Sequence, residues 1–168
     1  MRKPRKLEKD AKYHVTARAN GNKFILETKK VKDLFLNTVK RAKSKYQFKL
    51  TNFCIMQNHV HLMIQPLKDE SLSKIMQWIL ATFAINFNKM FDLIGHVWYD
   101  RFHSKIMKGL NEFLETFKYI AEKPVKSKIA NSKSEYKYGG LWYLVKRIYE
   151  ILEPPDSSIL QLFPEIRT

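Results

Sequence analysis

The stretch IMQNHVHLMI, residues 55–64, decides how this chain is read. Two of the chain's five histidines stand here, either side of Val60, in a run that otherwise reads as a buried strand. Alternate side chains of a strand share a face, so Val60, Leu62 and Ile64 point together into a core. His59 and His61 point the other way, with Cα atoms about 6.6 Å apart by strand rise. A rigid strand can converge two such imidazoles on one metal ion. They can equally be exposed strand histidines with ordinary hydrogen bonds, and spacing alone does not choose. Other HxH metal proteins fit poorly. A barrel of the amidohydrolase type needs about 250 residues, and only five glycines leave too few for the turns of a cupin.

Working outward, YHVTAR (13–18) alternates Tyr13, Val15 and Ala17 against His14, Thr16 and Arg18, a half-buried strand. Asn20-Gly21 signals a turn into KFIL. From Thr28, a good N-cap, Val31, Leu34, Phe35 and Val39 recur at helical spacing to about Gln47. FKLTNFCIM is the next strand, Gln57-Asn58 the turn into HVHLMIQ, and Pro66 the end of that strand. Ser71 caps a long helix whose stripe is Leu72, Ile75, Met76, Ile79, Leu80, Phe83 and Phe87. HVWYDRFHSKIM (96–107) reads as another strand, and NEFLETFKYIAEKP as a helix stopped by Pro124. NSKSEYKYGG is loop-like, LWYLVKRIYEIL a short amphipathic helix, and EPPDSS its end. Strand, helix, strand, strand, helix, strand, helix predicts an α+β chain with a ferredoxin-like antiparallel sheet and helices packed on one face.

In the helix over 111–123, Leu110, Phe113, Leu114, Phe117 and Ala121 make the apolar face, with Ile120 at its edge. Tyr119 lies about 200° round the axis from Phe117, among Glu112, Glu115, Thr116, Glu122 and Lys123. It is either an ordinary exposed tyrosine or a hydroxyl aimed at something.

Charge narrows the partners. Lys and Arg number 31 against 16 acidic residues, a net +15, which attracts polyanions, nucleic acid first among them; the bland alternative is a solubilising lysine surface. With no apolar run of eighteen residues, no membrane helix is expected. No apolar segment follows the basic N-terminus, so secretion is not expected either. The lone Cys54 excludes an internal disulfide framework and fits a reducing cytoplasm.

MQNHVHLMI, GHVWYDRFHSK and FLETFKYIAEKPVKSKIA together resemble the REP-associated tyrosine transposases, a branch of the single-tyrosine HUH transposases. The family pattern is a His-U-His strand, where U is hydrophobic, entered through a "PNH" or "QNH" turn. A "WxxRFxS"-like segment and "YIxxNPVRAG" follow. The similarity runs in order over residues 13–130, which would be the catalytic domain, between a basic arm (1–12, mobile in isolation) and a C-terminal extension (131–168). The resemblance implies a bacterial, cytoplasmic enzyme that cuts and rejoins single-stranded DNA, with DNA hairpins as partners and Mg²⁺ or Mn²⁺ as cofactor. It implies His59 and His61 as metal ligands and Tyr119 as nucleophile, making a 5′-phosphotyrosine. One departure stands out. The family's Asn four residues after the tyrosine, a further metal ligand, is here Lys123, whose ammonium has no lone pair. Glu122 or Glu115 would replace that ligand, or the protein is a catalytically weakened or domesticated hairpin binder. Arg101 and Lys105, at alternating strand positions, are candidate phosphate contacts, with Lys123 a third. His14, His96 and His103 read as structural or surface residues. Trp98, Trp142 and Tyr143 either stack on bases or pack in the core. A monomer and a homodimer sharing its sites are both compatible.

Overall fold

The computed structural model describes residues 3–167. Met1 and Arg2 of the basic arm and Thr168 of the C-terminal extension lie outside the described residues. The chain runs β1 (Tyr13–Arg18), α1 (Lys29–Lys45), β2 (Phe48–Ile55), β3 (His59–Pro66), α2 (Leu72–Phe91), β4 (His103–Ile106), α3 (Gly109–Lys126), α4 (Gly140–Val145) and α5 (Ser157–Leu162). Every strand pair is antiparallel and the order is β2-β3-β1-β4, the ferredoxin-like arrangement expected.

The two long helices begin where the sequence marks them. Thr28 Oγ1 accepts from the Val31 N–H and Ser71 Oγ from the Lys74 N–H. Their apolar stripes meet through Phe35 and Phe83, with ring centroids 5.5 Å apart. Val15, Ala17, Val60, Leu62 and Ile64 are buried in the same core. Trp98 joins it: its indole N–H donates to the Leu80 carbonyl and its ring packs on Phe35 and Phe83.

The opposite face of the sheet carries His59, His61 and Met63 of β3 and His14, Thr16 and Arg18 of β1. Helix α3 covers part of it. A bulge in β2 between Leu50 and Asn52 shifts the alternation by one residue. Asn52 and Cys54 therefore fall on the histidine face, opposite Met63 and His61, while Phe53 and Ile55 return to the core face. The buried Asn52 amide ties α3 down: Nδ2 donates to Phe117 O at 3.1 Å and Oδ1 accepts from the Phe53 N–H. Gly140 packs so closely on Asn52 that a Cβ there would collide with its side-chain oxygen.

Five expectations need correction. The strand over 96–107 shrinks to His103–Ile106. Upstream of it only the Ala19–Trp98 bridge pairs, and Phe102 turns inward with the Arg5 guanidinium 3.5 Å from its ring centroid. The α3 helix passes Pro124 to end at Lys126, because a proline this near the C-terminus removes one hydrogen bond and its buried ring packs into the core. The helix expected over 141–152 ends at Val145, where Arg147 takes a left-handed φ of 56° and the Ile148 N–H closes on Tyr143 O. EPPDSS does not merely end a helix. Asp156 caps α5 through the Ile159 N–H. The described part of the arm, 3–12, is docked along the fold by Arg5 on Phe102 O, Gln65 on Asp10 O and Tyr13 Oη on Glu8 O.

Replacing Asn52 by Ala removes the tie to the Phe117 carbonyl of α3 and leaves the Phe53 N–H in the interior without its side-chain acceptor. It should lower unfolding free energy by about 1–3 kcal/mol, read from the urea midpoint.

Candidate active site

The antiparallel register of β1 and β3 sets Arg18 opposite His59 and Thr16 opposite His61. His14, one pair further along, reaches diagonally back to His61 with Nε2 2.9 Å from His61 Nδ1. The two rings stack at 5.2 Å and 27°. His59 stands edge-on to His61 at 4.9 Å, and its Nδ1 lies 2.7 Å from Asn58 Oδ1, the turn residue before it.

Over these imidazoles α3 places Tyr119. Its ring lies edge-on to His61 at 5.9 Å and to His14 at 6.1 Å. Tyr119 is 43% exposed, so an incoming strand can reach it. Lys123, one helical turn on, holds Nζ 4.9 Å from the centroid of that ring. Phenol, imidazoles and ammonium therefore meet within one chain.

Burial and cations keep the histidines neutral. Burial, then Arg18 and Lys123, push His59 down to about 4. Burial, then His59, His14, Lys123 and Arg18, push His61 down to about 2. Burial, Lys105 and Lys123 lower His14 as well. Neutral imidazole is the form that offers a lone pair to a metal. His61 Nε2 is buried without a hydrogen-bond partner, an unsatisfied atom suited to a ligand. His59 Nε2 is likewise left for an ion once Nδ1 is engaged by Asn58.

The two acidic residues expected as a further ligand lie elsewhere. Glu122 pairs with Lys126 at 3.1 Å and lines a separate hollow with Asn131 and Lys133. Glu115 is exposed. Cys54, opposite His61, is held as the thiol: burial raises it to about 12 and its Sγ lies 3.3 Å from Met56 Sδ. Among the described residues no group of three or more His, Cys, Asp and Glu is arranged to hold a metal.

Of the candidate phosphate contacts, Lys105 lies on the site face, paired with His14 in register. Arg101 lies outside the strand, so it does not share that face; its guanidinium meets the Lys3 carbonyl instead. Trp142 packs on Tyr143 and Tyr143 on Phe53. His96 and His103 are exposed, as expected of surface residues. His14 is the residue sequence reasoning missed, together with Arg18. Strand alternation had set both on the polar face; the missing step was the pairing of β1 with β3.

The family model described as "Transposase IS200 like" matches residues 8–123, which spans every residue of this cluster. The chain belongs to the IS200-like transposase family. Its fold is similar to that of a REP-associated tyrosine transposase solved bound to a REP hairpin, at 17% identity and a TM-score of 0.74 over 93% of each chain. A putative transposase from Deinococcus radiodurans is similar at 15% identity and a TM-score of 0.52, covering 73% of this chain and 98% of that one. No curated protein matches. No helix among the described residues of this IS200-like chain is long and apolar enough to cross a membrane.

The depressed histidines make stability pH-dependent. Below about pH 6.5 the unfolded chain takes up protons that the folded site refuses. Stability is thus full above about 6.5 and lost as pH falls toward about 4, where His59 protonates when folded. In EDTA the melting temperature should fall over that window, and His61→Gln should flatten the slope.

Proposed function

We propose that the protein is a metal-dependent DNA strand-transferase that cuts and rejoins single-stranded DNA beside a hairpin, with Tyr119 as nucleophile. The observation that carries this reading is the Tyr119 ring 5.9 Å from the unsatisfied His61 imidazole.

The residues fit two positions of a divalent ion, His59 Nε2 and His61 Nε2, and the choice of Mg²⁺ or Mn²⁺ leans toward Mn²⁺ with imidazole ligands. Bound there, the ion supplies positive charge to the attacked phosphate and the departing oxygen. The chain does the rest. Tyr119 passes its phenolic proton to solvent as its oxygen bonds phosphorus. The bond from phosphorus to the 3′-oxygen breaks, and that oxygen takes a proton. The 5′-phosphotyrosine ester conserves the bond, so the 3′-OH of a second strand can reverse the step and join the ends. Lys123, beside the tyrosine, offers its ammonium to a phosphate oxygen, and Arg18 and Lys105 extend the same positive face. Arg101 contributes from the neighbouring cleft it lines with Lys3, Arg5 and Lys6.

A second reading has its own support. Lys123 stands where the resemblance expects a ligand and Glu122 is turned to Lys126, which favours a hairpin-binding protein with little or no chemistry.

Incubating the protein and Mn²⁺ with single-stranded hairpin oligonucleotides from the flanks of its own gene separates the two. An adduct that survives denaturation should form, vanish in Tyr119→Phe, and fall at least about 100-fold in His61→Ala. Hairpin affinity of Tyr119→Phe should stay within about twofold. Wild-type protein that binds yet never forms an adduct would leave only the binding module. Binding should also weaken at least about tenfold between 50 and 200 mM salt, since phosphate contacts release counterions.

A further inference from the structure

His59 and His61 are each anchored through Nδ1. For His59 the partner is the Asn58 side-chain carbonyl, an oxygen that only accepts, so the proton sits on Nδ1 and the lone pair on Nε2. For His61 the nearest partner is another imidazole, His14 Nε2 at 2.9 Å, with Thr16 Oγ1 further off at 3.4 Å. That contact works with either ring as donor, so the rest of the surroundings decide the tautomer.

Were the His61 proton on Nε2, a buried N–H would stand with no acceptor, in the field of Lys123 and Arg18. Buried orphan N–H groups are rare and costly, and cations repel the positive end of that dipole. With the proton on Nδ1, the N–H donates to His14 and only a lone pair is left unpaired. That is the cheaper orphan and the one nearby cations favour. Stacking of the two rings at 5.2 Å limits rotation of either, and the fit rests on neighbouring strands with little freedom.

We propose that His14 is a positioning residue: its Nε2 accepts the His61 Nδ1 proton and thereby presents the His61 Nε2 lone pair to the divalent ion. Outer partners of metal-binding histidines act in this way, fixing tautomer and orientation, and their loss costs about 10–100-fold in metal affinity. Here a histidine of the first strand takes that role for one of the second pair, and Asn58 takes it for the other. The proposal rests on the metal-dependent reading for its ion; the tautomer belongs to the free protein.

The test uses full-length protein in EDTA with ¹⁵N-labelled histidine. Long-range ¹H–¹⁵N spectra should show His61 with the proton on Nδ1. In His14→Phe the proton should move wholly or partly to Nε2, and Mn²⁺ affinity, by titration calorimetry, should fall at least about tenfold. His14→Gln keeps an accepting oxygen and should restore the Nδ1 tautomer and most of the affinity, with metal-free hairpin binding unchanged in both variants. Wild-type His61 protonated on Nε2 would overturn the proposal. So would a His14→Phe that folds with tautomer and affinity intact, or a folded His14→Gln that fails as badly as His14→Phe. If His14→Phe does not fold, the wild-type spectrum and His14→Gln still decide. Wild-type protein that binds no Mn²⁺, either alone or with hairpin DNA bound, sinks the proposed chemistry, while the spectrum alone still answers whether His14 sets the tautomer.

Discussion

The antiparallel pairing of β1 with β3 is the constraint on which the site depends. It sets Thr16 beside His61 and Arg18 beside His59, and it brings His14 to 2.9 Å from His61 Nδ1. A slip of one residue would send every side chain of β1 to the other face. Tyr13, Val15 and Ala17 would leave the core, and His14 would leave the imidazoles. The buried side therefore holds the polar side in register. Apolar packing against α1 and α2 is what makes the histidine cluster rigid.

A second constraint brings the tyrosine. Tyr119 reaches the imidazoles only because α3 lies down on the histidine face, and Asn52 is the polar tie that holds it there. That tie exists because the bulge after Leu50 turns Asn52 out of the alternation expected of an unbroken strand. The cost of burying an amide is met by two hydrogen bonds, one to α3 and one from the adjacent Phe53 N–H. The bulge has a trace in the sequence: apolar residues fall at 48 and 50, then at 53 and 55, a change of phase by one.

The cluster is electrostatically unusual for the cation site proposed here. Arg18, Lys105 and Lys123 surround three histidines, with Glu122 occupied elsewhere. Such a field suits a polyanion, and it keeps the imidazoles neutral when empty. Positive surroundings repel a free divalent ion, so ion and phosphate fit this site better together than the ion alone.

How much was legible follows from range. Caps at Thr28 and Ser71, the turn before His59, the strand alternation and the helical stripe are contacts within a few residues, and they appear in the structure where the sequence puts them. The His59–His61 pair and the polar-face position of Tyr119 are of this kind. What escaped was set by partners far along the chain. The strand expected over 96–107 was cut short because Phe102 turns under Arg5, nearly a hundred residues away. His14 looked unpartnered until β1 lay beside β3. The sequence by itself determined which residues carry reactive or charged groups and, within unbroken elements, which face each occupies, since periodicity is local. Only the tertiary structure decided which of them meet, because strand register and helix docking are fixed by packing across the whole core.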